Sequence, residues 1–111
     1  MEVMAKNNGI PPVHPGEILR EDILPEVNLT VTSAAKALGI SRQMLHGVLA
    51  ESRPLSAVMC LRVAKLFGSS PRMWMGLQAE YDLRKATEDK KVMQSIRKIA
   101  RIAEMDSTQA S

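Results

Sequence analysis

Ala35 and Gly39 constrain this chain more than any other pair of residues. Two helices that cross steeply after a turn of three or four residues need a small side chain where their backbones meet. Ala35 supplies it, and Gly39 can take the positive φ that the turn demands. Ala34, Leu38, Ile40, Leu45 and Val48 fall at the buried positions of such a unit. Thr32 is placed to cap a short helix over 33–38, and Ser41 to cap a second one reaching residue 49. The pattern predicts a helix-turn-helix. Two ordinary bundle helices joined by a glycine are the alternative that the pattern alone leaves open.

The rest of the chain reads as helix too. Pro15 is suited to the first position of a helix, Glu17 favours its first turn, and Ile18, Leu19 and Ile23 form its apolar stripe. Pro25 is expected to stop it just after Leu24. Beyond the central unit, a helix over 57–67 is expected to turn Val58, Leu61, Ala64 and Phe67 inward, ending at Gly68. Pro71 opens another, to about residue 84, with Trp74, Leu77 and Tyr81 at helical spacing and Trp74 assigned to the core. Aromatics are only 3% of the chain, so the core must be mainly aliphatic, which suits helices packed on helices. No strand alternation runs longer than a few residues. The expectation is an all-α chain with five helices in the main domain. An extended arm (1–13) precedes that domain (14–86). A tail (87–111) follows, in which Val92, Ile96, Ile99 and Ala103 stripe one amphipathic helix and 106–111 fray.

Several function classes fall away on composition. Two histidines and one cysteine are too few for a metal cluster of recognisable spacing, and neither a phosphate-binding glycine loop nor a nucleophile elbow is present. The reading is therefore no enzyme, no metal and no cofactor, with His14 a helix cap and Cys60 a buried thiol. No apolar run could span a bilayer, and Met1–Asn8 lacks a signal-peptide layout, so a cytoplasmic protein is expected.

Charge distribution favours nucleic acid. The net charge is a mild +3, but Lys36, Arg42, Arg53, Arg62 and Lys65 make the centre basic, while acids gather in 17–26 and after residue 80. Arg42 and Gln43 occupy the first turn of the third helix, where a recognition helix aims side chains into the major groove. Arginine can bond guanine O6 and N7 together, and glutamine can do the same with adenine N6 and N7. His46, one turn on, is in reach of a base or a phosphate. Thr32, Ser33, Ser41, Arg53 and Ser56 are the phosphate-contact candidates, each of which could also serve only as a cap or a solvated charge.

The phrases His14-Pro15-Gly16-Glu17-Ile18-Leu19-Arg20-Glu21, Ala34-Ala35-Lys36-Ala37-Leu38-Gly39-Ile40-Ser41-Arg42-Gln43 and Leu61-Arg62-Val63-Ala64-Lys65-Leu66-Phe67-Gly68 resemble the HigA (VapI-type) family of addiction-module antitoxins. Ser70-Pro71-Arg72-Met73-Trp74-Met75-Gly76-Leu77 continues the likeness, which covers 12–86. The resemblance implies a lambda-repressor-like fold, a homodimer on palindromic operator DNA, and a partner HigB-type toxin, a RelE-like mRNA endonuclease. By the same analogy, Arg42, Gln43 and His46 read bases. A toxin-neutralising module without DNA binding and a phage-type repressor without a toxin are the alternatives.

Two positions depart from the family pattern. Gly47 stands mid-helix where relatives carry a long polar residue, and costs about 1 kcal/mol of helix propensity relative to alanine. Ala50-Glu51-Ser52 replaces an Asn-Gly turn and brings a negative charge near the expected DNA backbone. Both weigh toward weakened or altered DNA binding.

Overall fold

The first helix does not stop at Pro25. In a computed structural model, which describes residues 11–109 and the side chains of 11–105, α1 comprises Pro15–Ile18, a π-helical stretch Leu19–Ile23, and Leu24–Val27. A proline within an α-helix removes a donor and drives its ring against the carbonyl four residues back. Here the turn ahead of Pro25 is wider, and the Leu24 N–H bonds to Leu19 O, five residues back. That widening accommodates the ring. The helix ends instead at Asn28, left-handed at φ 61°. At its start, His14 Nδ1 accepts the Gly16 N–H at 2.8 Å, so the buried histidine is the cap.

Helix α2 is Val31–Leu38, and its cap is Thr30 rather than Thr32. Thr30 Oγ1 accepts the Ser33 N–H at 3.0 Å, and Leu29 packs against the core beside it. Gly39 takes φ 73° and closes α2. Ser41 then caps α3, Arg42–Leu49, by accepting the Met44 N–H at 3.0 Å.

Helix α4, Ala57–Phe67, is capped by Ser56 and rotated from the expected phase. Met59, Cys60, Val63 and Ala64 are buried, while Val58 and Leu61 are 59% and 58% exposed. The helix is apolar nearly all round, so its own pattern does not choose a face. The choice is made by Leu55, fully buried just ahead of it, whose N–H donates to the buried Gln78 Oε1 at 2.7 Å. Helix α5, Pro71–Glu88, runs past the expected end. Its Trp74 is 1% exposed and donates Nε1–H to Ser69 Oγ at 2.7 Å.

The chain divides into two compact units, 1–81 and 82–111, and the division falls inside α5. The core of the first unit joins Leu19 and Leu24 of α1 to Ala34, Ala35, Leu38, Leu45, Val48 and Leu49, and these to Leu55, the α4 row and Trp74. No strand occurs among the described residues. Ala35 is 2% exposed in this core, where α2 and α3 approach each other. Ala35→Leu should therefore destabilise the unit by the upper part of the usual overpacking range of about 1–3 kcal/mol. Thermal unfolding checks this, and an unchanged midpoint would contradict the close crossing.

In the second unit the expected single amphipathic helix is two. Helix α6 is Lys90–Arg97, capped by Asp89, and α7 is Ile102–Gln109. Val92 and Ile96 lie in α6, Ile99 in the break, and Ala103 in α7, so the stripe is interrupted. Helix α6 buries no residue, and Arg97, Lys98 and Arg101 crowd like charges at the break. A short helix without tertiary packing is marginal in water. The backbone over 106–109, expected to fray, is helical, and 110–111 lie outside the described residues. Residues 11–13 of the expected arm are not helical, and 1–10 are likewise outside the description.

Candidate nucleic-acid interface

Helix α3 separates two faces along its length. Leu45, Val48 and Leu49 are buried, and Arg42, Gln43 and His46 are exposed. The latter three occupy its first two turns, immediately beyond the Ser41 cap. None of the three has a side-chain hydrogen bond to another described residue, so their donors and acceptors face solvent. Of the other residues singled out as the turn's framework, Ala34, Ala35 and Leu38 are buried, Ile40 is half-buried, and Gly39 is the left-handed corner.

The hydroxyl candidates lie at helix starts. Thr32 and Ser33 are exposed on the first turn of α2, and Ser33 Oγ accepts from Thr30 Oγ1 at 3.0 Å. Ser41 and Ser56 spend one acceptor each on helix caps, the latter to the Met59 N–H at 3.2 Å. Their O–H groups can still donate to an anionic oxygen. Arg53 is exposed, and its side chain lies over Gly47 with Nη1 3.8 Å from Met44 Sδ.

Glu51 is held in an ion pair within the chain. Its carboxylate lies 3.2 Å from Arg20 Nη1, which also donates to Leu49 O at 2.6 Å. Arg20 Nε contacts Glu21 at 2.9 Å. The negative charge that the sequence placed beside the expected DNA backbone is thus paired with Arg20 of α1, which it shares with Glu21. The backbone of Glu51 is left-handed, at φ 64°, the conformation an Asn-Gly turn would adopt more readily.

Three supporting residues escaped the sequence reading. Gly16 lies where a Cβ would strike the Val48 carbonyl, so α1 passes directly against α3. A glycine just after a helix-starting proline was the available signal. Arg62 Nη1 donates to Leu38 O at 2.9 Å, closing the end of α2 from α4. Gln78 is the buried polar group that anchors Leu55, and nothing in a helical polar position announces burial. The one buried thiol, Cys60, has its pKa raised by desolvation, which suits an inert packing residue.

Comparison with known proteins gives concordant relatives. No family model matches the chain. Virulence-associated protein I of Dichelobacter nodosus is 38% identical over 90 residues, which span 81% of this chain and 83% of that protein. The Pseudomonas aeruginosa antitoxin HigA, solved with the higBA promoter, superposes with a TM-score of 0.74 at 36% identity, covering 80% of this chain and 96% of that one. The antitoxin GraA in complex with its operator gives 0.75 at 35% identity, covering 85% and 94%. Shared sequence over most of both chains, together with one fold, places this chain in the virulence-associated protein I and HigA family of helix-turn-helix proteins.

Proposed function

We propose that the chain is the antitoxin of a HigB/HigA-type pair, a sequence-specific autorepressor that also binds and neutralises a RelE-like mRNA endonuclease. The observation that carries this reading is the solvent-facing row Arg42, Gln43 and His46 on the first two turns of α3. The operator and promoter complexes of the HigA and GraA relatives add to it. In this reading Arg42, Gln43 and His46 reach base edges, while Thr32, Ser33, Ser41 and Ser56 meet phosphates on either side. The protein works in the cytoplasm, without a cofactor, and catalyses nothing itself.

Titration of DNA from upstream of its own reading frame at several salt concentrations tests the repressor half. Specific binding with a steep salt dependence is expected, since phosphate contacts release counterions. Tight toxin binding with no DNA preference would instead mean a pure antidote. Co-expression with a HigB-type toxin, read as growth rescue and co-purification, tests the antitoxin half.

One recognition helix reads few base pairs, so the repressor acts as a homodimer on a two-fold site. Truncation after Ala86 removes the last two residues of α5 together with α6 and α7, and Val92 and Ile96 of α6 are 37% and 47% exposed. A monomer that binds operator only at much higher concentration is expected if that stripe joins the copies. A truncated dimer of unchanged affinity would move the interface to the folded domain.

A further inference from the structure

We propose that Arg53 is a base-reading residue, and that Gly47 is the notch through which its side chain reaches the recognition face of α3. This rests on the DNA-binding reading above and assigns Arg53 a role other than phosphate contact.

The turn after α3 folds back onto the helix. The Gly47 carbonyl accepts the Ser52 N–H at 2.9 Å, the Arg53 N–H at 3.1 Å and the Ser52 hydroxyl at 3.2 Å. Three bonds to one oxygen hold the Arg53 backbone beside Gly47. From there the aliphatic stem runs across the glycine. A Cβ on Gly47 would lie 2.5 Å from Arg53 Cδ, 2.7 Å from Nε and 2.8 Å from Cγ. The stem therefore fills the volume that any side chain at position 47 would need. It ends with Nη1 beside Met44 Sδ, one turn nearer the start of α3. Gln43 and Gly47, four residues apart, share a helix face, so the stem crosses the exposed face of α3 that carries Gln43, and the guanidinium rests at its Met44 edge.

The cation is also uncommitted. Among the described residues no carboxylate pairs with Arg53, whereas Glu51, two residues earlier, is taken up by Arg20. A planar fork free of acidic partners, laid along the exposed edge of a recognition helix, matches the paired O6 and N7 acceptors of guanine. The mid-helix glycine, unfavourable by propensity, then has a purpose: it exchanges a side chain on the helix for an arginine delivered from the turn.

The test selects duplexes from a randomised pool with the wild-type protein, then measures Gly47→Ala, Arg53→Ala and Arg53→Lys on the selected site. Each variant is assayed with every base pair of a half-site replaced in turn, at several salt concentrations, with thermal midpoints alongside. Arg53→Ala is expected to lose at least tenfold in discrimination, confined to one G·C pair per half-site. Arg53→Lys should not restore it, because the fork is lost. Gly47→Ala should lose preference at the same pair while its thermal midpoint holds or rises, since a flexible stem can swing aside and alanine favours helix. Equal weakening of Arg53→Ala on selected and scrambled duplexes, with a shallower salt slope, would overturn the proposal and leave Arg53 a phosphate contact. A pool from which the wild type selects nothing would overturn the DNA-binding reading itself.

Discussion

Gly16→Ala is expected to lower the stability of the domain by about 3 kcal/mol or more, at or beyond the top of the usual overpacking range. For a unit of this size that is a fall in thermal midpoint of roughly 12–24 °C. The added Cβ would meet the Val48 carbonyl, and a backbone atom in the last turn of α3 cannot rotate away as a side chain can. Its third neighbour, His14 Nδ1, accepts the Gly16 N–H, so relief by moving α1 would disturb the cap as well. Gly76→Ala is the control. It lies within α5 with nothing within 4 Å of a Cβ, so the same chemical change should stabilise by up to about 1 kcal/mol through helix propensity. Calorimetry on the two variants reads both signs. A Gly16→Ala protein as stable as its parent would mean that α1 and α3 do not cross at that point.

Arg42→Ala is expected to cost about 1–3 kcal/mol of discrimination at one base pair in each half-site. In a dimer both half-sites contribute, so the preference for operator over scrambled duplex should fall by tenfold at the least. The arginine is exposed on the first turn of α3 and has no described partner to give up, so its loss should not unfold the protein. Binding of the variant to operator and scrambled DNA at fixed salt separates the outcomes. Equal loss on both would reduce Arg42 to a phosphate contact.

Much of the recognition unit was legible because each part depends on local chemistry. A glycine in a left-handed corner, a serine cap and a small residue at a crossing declare themselves within a few residues, and Gly39, Ser41 and Ala35 stand in those places. The candidate base-reading row followed from the same helix period. Where two residues of one kind competed, local chemistry was not enough. Thr30 and Thr32 are equally good caps by residue type, each follows an apolar residue that packs on the core, and it is Thr30 that caps α2. Pro25 reads as a stop in any sequence, because whether a π turn will precede it depends on how α1 packs.

What the sequence determined by itself was the all-helical class, the helix-turn-helix and the caps that set α3, since these rest on backbone preferences and nearest neighbours. Only the tertiary structure decided the rotation of α4, the pairing of Glu51 with Arg20, and the passage of Arg53 over Gly47. An apolar helix has no preferred face until a partner such as Leu55 is seated against it. Glu51 and Arg20 meet across 31 residues, and no local pattern records a contact between segments so far apart along the chain. Arg53 crosses Gly47 only because the turn between them folds back onto the Gly47 carbonyl. Charge and notch were both visible as departures, but their meaning lay in which residue each one faced.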